Sequence, residues 1–565
     1  MKLFKPFFVL FLFTIILSST SRAQISLVPA NHPVYEWLHH QRVLGNAPSY
    51  NYEVLPLSRG EISTILSDIE EGELGYFDRK QYVAYSKEFD LDYQIENSPN
   101  DLLKTDDRSV STILKKKVSH YLSDEESHLF SYNDSISNVV LDAWWGYGNI
   151  VNESGGVTTQ GIHDFKGFRG YGSLYNLIGL HLEYQNFTEL GSERAVQYHP
   201  VFGDTFFILQ GKSSGSYTQS FASLAYGKLR FDIGRGSLKY GLGVDQSLIL
   251  SRQAPDFDWM RLNWNSKYLK VSYMHGSIQS LGTENETITV NDEDFLSRVT
   301  TPRWIVLRRF ELLPFSWISM IYTQTVIYSN RSLDFSHLNP LYLVDVAEEN
   351  NQDRDNPGIN FEGIIRPFKS VELYAGLGMD DINKVSDVFK KTGNRSSEDA
   401  VLSYQAGIST SYKTGTSVNL EYFRIEPYYY THIFRFNTYE NFNQSLGHDL
   451  GPNSDQAMIK IRQWLPKRAW VELALKRIRK GLNVVDENGV LVQDVGGDIF
   501  EPQGGGDVVR FLSGDVHHIN EIEVKAQFEP VRAFIINFEF NKSDISKGLQ
   551  LSDRDYFSVG IQIGY

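Results

Sequence analysis

Val371-Glu372-Leu373-Tyr374-Ala375-Gly376-Leu377-Gly378-Met379 alternates with a period of two. Val371, Leu373, Ala375, Leu377 and Met379 fall on one face, and Glu372, Tyr374, Gly376 and Gly378 on the other. Neighbouring side chains of an extended strand point to opposite sides, so the stretch reads as a strand with one apolar and one polar face. The pattern returns again and again. Val418, Leu420 and Tyr422 oppose Asn419 and Glu421; Val471, Leu473 and Leu475 oppose Glu472, Ala474 and Lys476. Ile522, Val524, Ala526 and Phe528 oppose Glu521, Glu523, Lys525 and Gln527, and Phe534, Ile536, Phe538 and Phe540 oppose Asn537, Glu539 and Asn541. It starts after Val139 and holds to the last residues, where Phe557, Val559, Ile561, Ile563 and Tyr565 oppose Ser558, Gly560, Gln562 and Gly564.

A soluble antiparallel sheet with one wet face also alternates. Three features favour a membrane. The alternating runs have about the 9–11 residues that a tilted spanning strand needs. They are rich in aromatic residues, as at Trp144-Trp145, Tyr428-Tyr429-Tyr430 and Trp464, which read as girdles at the two membrane interfaces. The final strand ends in an aromatic residue and looks like the assembly signal of bacterial outer-membrane barrels. The expected fold is mainly β: a large antiparallel transmembrane β-barrel over residues 138–565, with an estimated 16 to 18 strands. The polar insertions Glu284–Asp294, Glu348–Asn360 and Asp486–Asp507 are expected as outward loops, and the tight turns Lys413–Thr416 and Pro466–Arg468 as periplasmic ones.

Ahead of the barrel the pattern differs. Lys2 and Lys5, the apolar run Phe7–Leu17 and Ser21-Arg22-Ala23 have the form of a secretory signal peptide over 1–23, with the mature chain expected to begin near Gln24. Residues 24–90 show helical spacing and are expected to form a small periplasmic helical domain. Val34, Trp37 and Leu38 recur at three and four residues, as do Ile62, Ile65, Leu66 and Ile69. Ser58 and Glu61 make a capping box, and a third helix is expected from Asp78, with Tyr82, Tyr85 and Phe89 on one face. Three such short helices bury little alone and must lean on something larger. Residues 91–137, polar and without a sustained period, read as a partly helical connector.

Of 565 residues none is cysteine, which excludes disulfides, thiolate metal sites, a cysteine nucleophile and a lipidated cysteine anchor. The formal net charge of −15 argues against nucleic acid as a partner. No stretch after the signal is long and apolar enough for a spanning helix, so membrane residence requires the barrel. Gly211-Lys212-Ser213-Ser214-Gly215 has the spacing of a nucleophile elbow, but that motif needs a helix after it, and Tyr217–Arg230 reads as a strand. His39-His40 and His517-His518 invite a metal reading, yet girdle or lumen positions explain them. Asp353-Arg354-Asp355-Asn356-Pro357-Gly358 resembles the start of a calcium loop but places Pro357 at a ligand position and Ile364 where the bidentate acid belongs. A looser calcium site with Asp345, Glu348 and Glu349 stays open. The lumen charges Glu372, Glu421, Lys460, Arg462, Glu472, Glu521, Glu523 and Lys525 either select a solute or pair to hydrate the interior. No Ser/His/acid set has a convincing context, so no catalysis is expected.

Val28-Pro29, His32-Pro33-Val34-Tyr35-Glu36-Trp37-Leu38 and Leu55-Pro56-Leu57-Ser58-Arg59-Gly60-Glu61-Ile62 resemble the N-terminal helical region of the capsule assembly protein Wzi family. Gly227–Arg235, Ser247–Ser251 with Ala254-Pro255, His337-Leu338-Asn339-Pro340 and Tyr374–Asp381 follow in the family's order. The resemblance implies an 18-stranded outer-membrane barrel with a periplasmic helical bundle, a lectin that helps to hold capsular polysaccharide at the cell surface, and no catalysis. The expected partners are therefore outer-membrane lipid and capsular or other surface polysaccharide, for a monomeric barrel. Tyr428, Tyr429, Tyr430 and Tyr439 are the candidate sugar contacts, because aromatic faces stack on sugar rings; a place in the girdle explains them as well. The alternative function is a porin or channel for small polar solutes.

Overall fold

The structure, a computed structural model, describes residues 24–90, 126, 128–133, 136–191, 207–209, 212–279, 285–290, 293–298, 301–340, 355–380, 401–501, 509–548, 551 and 553–564. The signal-peptide reading and most of the connector lie outside them.

Eighteen antiparallel strands close into a barrel. In chain order they are β1 (Asn138–Ser154), β2 (Val157–Leu174), β3 (Ile178–Gly191), β4 (Lys212–Tyr226), β5 (Leu229–Gly236), β6 (Phe257–Asn265), β7 (Leu269–Ile278), β8 (Arg303–Phe315) and β9 (Ile318–Ser329). The second half comprises β10 (Asn356–Phe368), β11 (Val371–Asp380), β12 (Val401–Tyr412), β13 (Thr416–Ile425), β14 (Ser454–Leu465), β15 (Ala469–Leu482), β16 (Asp515–Val531), β17 (Phe534–Lys547) and β18 (Arg554–Gly564). Each strand pairs with the next in sequence, and β18 returns to β1 with Gly564 opposite Trp144 and Arg554 opposite Ser154. Closure leaves no open edge, which a chain in hydrocarbon requires. The burial pattern inverts that of a soluble protein: on β13, Leu420 is 44% exposed while the neighbouring Glu421 is 4% exposed.

At one end the connections are short, as at Tyr175–Leu177, Gly227–Lys228, Lys413–Gly415 and Pro466–Arg468. At the other end most are long, as at 237–256, 330–355, 426–453 and 483–514. The two turns expected to be tight thus share an end, opposite the expected loops, of which Asn356–Asn360 belongs to β10 and not to a loop. Gly415 takes φ +77 in its turn, a conformation that glycine adopts without strain.

Three helices occupy the tight-turn end: α1 (Val34–Leu44), α2 (Arg59–Ser67) and α3 (Tyr76–Phe89). Helix α2 has its capping box: Ser58 Oγ accepts from Glu61 N at 3.2 Å, and Glu61 Oε2 accepts from Ser58 N at 2.8 Å. Helix α3 starts two residues before the expected Asp78, because that carboxylate lies buried 3.1 Å from His40 Nε2 instead of capping. Gly75 takes the cap position, where a Cβ would collide with the carbonyl of Lys413. The helices share one core, with Trp37, Leu38, Ile62, Tyr85 and Phe89, and it is completed by a residue of the barrel itself, Trp464 of β14. Trp464 is fully buried there; reading it as an interface girdle was wrong, whereas Trp145 does face outward at 51% exposure.

The helices are bolted to the wall. Ser370 N donates to Val43 O at 2.8 Å, Gln81 Nε2 to Ala469 O at 3.2 Å, and Arg468 Nη2 to Ala84 O at 2.8 Å. Where the connector re-enters the described residues, Glu126 accepts from Arg532 Nε at 2.8 Å, and the short strand Phe130–Asn133 pairs with the first residues of β1.

Candidate functional site

The lumen is filled from both ends. Segment 237–256, between β5 and β6, turns inward because the wall offers partners for its main chain. Glu362 Oε1 of β10 accepts from Leu242 N at 2.9 Å, and Glu421 Oε2 of β13 accepts from Val244 N at 3.3 Å. Its residues Lys239 and Tyr240 pair as a two-residue strand with Leu55 and Val54 of the N-terminal region. Segment 426–453, between β13 and β14, folds over it, and Ser251 N donates to Leu446 O at 2.8 Å. A backbone buried away from water must have such partners, so these bonds fix the plug rather than decorate it.

The candidate sugar contacts lie in this packing. Tyr428, Tyr429, Tyr430 and Tyr439 are each between 3% and 6% exposed. Tyr430 stacks on Tyr439 with ring centroids 5.3 Å apart. Tyr430 Oη donates to Leu248 O at 2.7 Å, and Tyr439 Oη to Ile249 O at 2.6 Å. Their ring faces are therefore covered by the plug, and Tyr428-Tyr429-Tyr430 are not girdle residues either.

Of the predicted lumen charges, Glu372, Glu421, Lys460 and Arg462 bond to the inward segment or to α1, while Glu472, Glu521, Glu523 and Lys525 pair along the wall. Glu372 lies 2.9 Å from Arg42 Nε and 3.3 Å from His39 Nε2. Arg42 also reaches Glu53 at 2.8 Å. Lys460 pairs with Asp245 of the inward segment and with Glu472 at 3.0 Å; Glu472 also holds Arg462. Glu36 of α1 closes this network on Arg252 at 2.6 Å and Arg462 at 3.8 Å. Lys476 takes Glu521 at 2.7 Å and Glu523 at 3.0 Å, and Lys525 takes Glu523 and Glu539. Glu421 also accepts from Tyr374 Oη. The network includes Arg252, Asp245 and Glu36, which carried no recognisable pattern in the sequence.

Burial alone would raise the Glu36 and Asp245 carboxyls. The surrounding cations outweigh it, Arg252, Arg462 and Lys460 for Glu36 and Lys460 and Arg252 for Asp245, and hold both well below the ordinary carboxylate range. A depressed carboxyl contributes stability above its unfolded value, about 4.5 for glutamate, and loses it only as pH falls through the lower folded value. The hold of these ion pairs on 237–256, read as protease protection, is therefore expected to stay constant between pH 7 and about 5 and to weaken only in strong acid. Release of the segment at pH 6 would contradict this reading.

The other candidates separate. Ser213 lies on β4, its backbone opposite Glu189 of β3, so no strand-to-helix turn forms there. His40 accepts or donates at Ser417 Oγ (2.7 Å), His517 lies 2.9 Å from Asp515, and His518 sits on the outer face. Both oxygens of Asp355 accept from Arg331 at 2.7 Å, and His337 lies 2.9 Å away; Asp353, Asp345, Glu348 and Glu349 fall outside the described residues. Among the described residues no three His, Asp or Glu side chains come together as a metal-binding group.

Beside the plug remains a cavity of about 1220 Å³. Tyr217 and Arg235 line it from the wall, Phe442 and Asn443 from segment 426–453, Phe500 from segment 483–514, and Lys525 and Glu539 from β16 and β17. It combines aromatic rings, amides and charges of both signs.

A closed sheet with an apolar outside and a bonded obstruction inside defines a plugged transmembrane β-barrel. The sequence profile of the capsule assembly protein Wzi family matches residues 141–530, and the chain belongs to that family. No curated protein matches it by sequence. Among solved structures it is similar to Wzi of Escherichia coli, an outer membrane protein involved in group 1 capsule assembly and a carbohydrate-binding β-barrel. The TM-score is 0.56 at 12% identity, over 95% of this chain and 99% of that one. OccK8 (OprE) and OccK7 (OpdD) of Pseudomonas aeruginosa follow at TM-scores of 0.41 and 0.40, with 7% and 11% identity; each alignment covers 76% of this chain, and 98% and 99% of theirs.

Proposed function

We propose that the protein is a non-enzymatic outer-membrane lectin that helps to assemble or hold capsular polysaccharide at the cell surface. In this reading its helical end lies in the periplasm and its long loops face outward. The observation that carries it is the obstructed lumen: the inward segments are bonded to wall carboxylates and lysines, an arrangement suited to retention rather than to passage. Family membership supports a role in capsule assembly, and the carbohydrate binding of the similar Escherichia coli barrel supports the ligand class. The cavity beside the plug supplies the chemistry that sugars require, rings for stacking and amides and charges for hydroxyl and carboxylate groups.

Deleting the gene is expected to leave polymer synthesis intact and to move polymer from the cell surface to the medium. Unchanged cell-bound capsule would overturn the proposal. The alternative, a channel for small polar solutes, predicts steady ion conductance from the intact protein in planar bilayers, where the plugged barrel is expected to stay closed.

A further inference from the structure

The strand register aligns outward-facing residues of β12 to β17 into rows around the barrel. Nearest the long-loop end, Arg424, Asp455, Arg479, His518 and Lys547 face one another across five strands. The next row is Ala406, Tyr422, Ala457, Arg477, Asn520 and Asp544, and the one below it is Ile408, Leu420, Ile459, Leu475, Ile522 and Lys542. On β12 to β16 the bottom row is apolar and the top row charged, so the boundary of the membrane falls between them on these strands; on β17 Lys542 pairs with Asp544 at 3.3 Å and Asp555 at 3.4 Å.

Two features of this boundary point to a ligand. The small side chains of Ala406 and Ala457 leave an outward groove of about 690 Å³, walled by Ile408, Leu420 and Leu475 and closed at its loop-end side by Arg477. The cations above it are in excess. Arg479 is taken by Asp455 at 2.9 Å and Arg424 by Glu426 at 2.6 Å, but Arg477 and Lys547 meet no carboxylate among the described residues. In a chain with a formal net charge of −15, an unpaired Arg477 lining an apolar groove, with an unpaired Lys547 two strands away in the row above, needs an explanation. Arginine binds phosphate oxygens bidentately, and long basic side chains lie along apolar surface while keeping their charge at the headgroup level.

We infer that this groove is a binding site for a phosphate-bearing acyl lipid of the outer leaflet, with an acyl chain over Ala406 and Ala457 and the phosphate held by Arg477 and Lys547. The site depends on the barrel's place in the membrane and not on polysaccharide recognition. It would hold the barrel at a fixed depth and orientation beneath the surface polymer.

Native mass spectrometry of the full-length, detergent-purified protein tests it, with diphosphorylated lipid A and its dephosphorylated counterpart as probes. The wild type is expected to retain the phosphorylated lipid preferentially. The Arg477→Gln/Lys547→Gln variant is expected to retain it about tenfold less, as loss of two charge-assisted contacts implies. Lys228→Gln, at the tight-turn end, is expected to change nothing. Heat-modifiable migration on gels checks folding, and the single Lys547→Gln variant, altered at an exposed strand end, is expected to show an intermediate loss. Equal retention of both lipids by the wild type, unchanged retention by the double variant, or displacement of the lipid by an equal concentration of inorganic phosphate would each overturn the assignment.

Discussion

Replacing Arg42 by methionine is expected to undock the helical end of the plug at a cost of about 3–5 kcal/mol, the range for removing one partner from a buried ion pair. Arg42 lies between Glu53 at 2.8 Å and Glu372 at 2.9 Å, both carboxylates being fully buried, and Glu372 also meets Arg366 Nη1 at 3.4 Å and His39 Nε2 at 3.3 Å. Burial alone would raise the Glu53 carboxyl; Arg42 outweighs it and holds the group below its ordinary value. Without the guanidinium, Glu53 is left buried with no ion-pair partner among the described residues and Glu372 keeps only the longer contacts to Arg366 and His39, so the carboxylates must either take up protons or move apart. Helix α1 carries Arg42, so moving apart means lifting α1 off β11. The measurable results are protease cleavage within residues 24–90, a lower melting temperature in detergent, and ion conductance where the wild type is expected to be closed. Adding Glu53→Gln and Glu372→Gln to Arg42→Met is expected to recover much of the loss, because neutral amides tolerate burial without a cation. A single variant as protected and closed as the wild type would show that the ion pairs do not hold the plug.

Much of this arrangement was legible in the sequence, and the part that was not has a physical reason. A strand between hydrocarbon and a filled lumen meets the same two environments along its whole length, so its residues alternate strictly, as in Val371–Met379. The capping box at Ser58 was equally legible, because both of its bonds are local. The plug is different. Segments 237–256 and 426–453 have no period, and what draws them inward is a set of wall residues far away in sequence, such as Glu362 for Leu242 and Glu421 for Val244. Asp78 failed as a helix start for the same reason, its carboxylate being used by a tertiary partner. The four tyrosines were singled out for their aromatic character, which serves a plug core as well as a sugar face, and only the fold distinguishes the two.

For Trp464 the sequence did contain the answer. On β14 the outward residues are Ala457, Ile459 and Ile461, so Trp464 falls on the parity of Lys460 and Arg462, which is the lumen side. Its ring enters the core of the helices beside Trp37 and Tyr85, and Arg462 lies 5.4 Å from the ring centroid. Trp464→Ala is therefore expected to cost about 3–5 kcal/mol, as for a large aromatic deleted from a packed core. Because the main chain of β14 keeps its bonds to β13 and β15, the loss should fall on the helical end and not on barrel closure. Hydrogen exchange is expected to rise in α1 to α3 while the strands stay protected. Ile461→Ala, one turn of the pleat away in sequence terms but on the outer face, removes a side chain that touches lipid or detergent rather than this core, and is expected to leave helix protection unchanged. If the two variants behaved alike, the helices would not depend on the barrel for their core, and the plug would be a separate domain resting in the lumen rather than a part of the same folded unit.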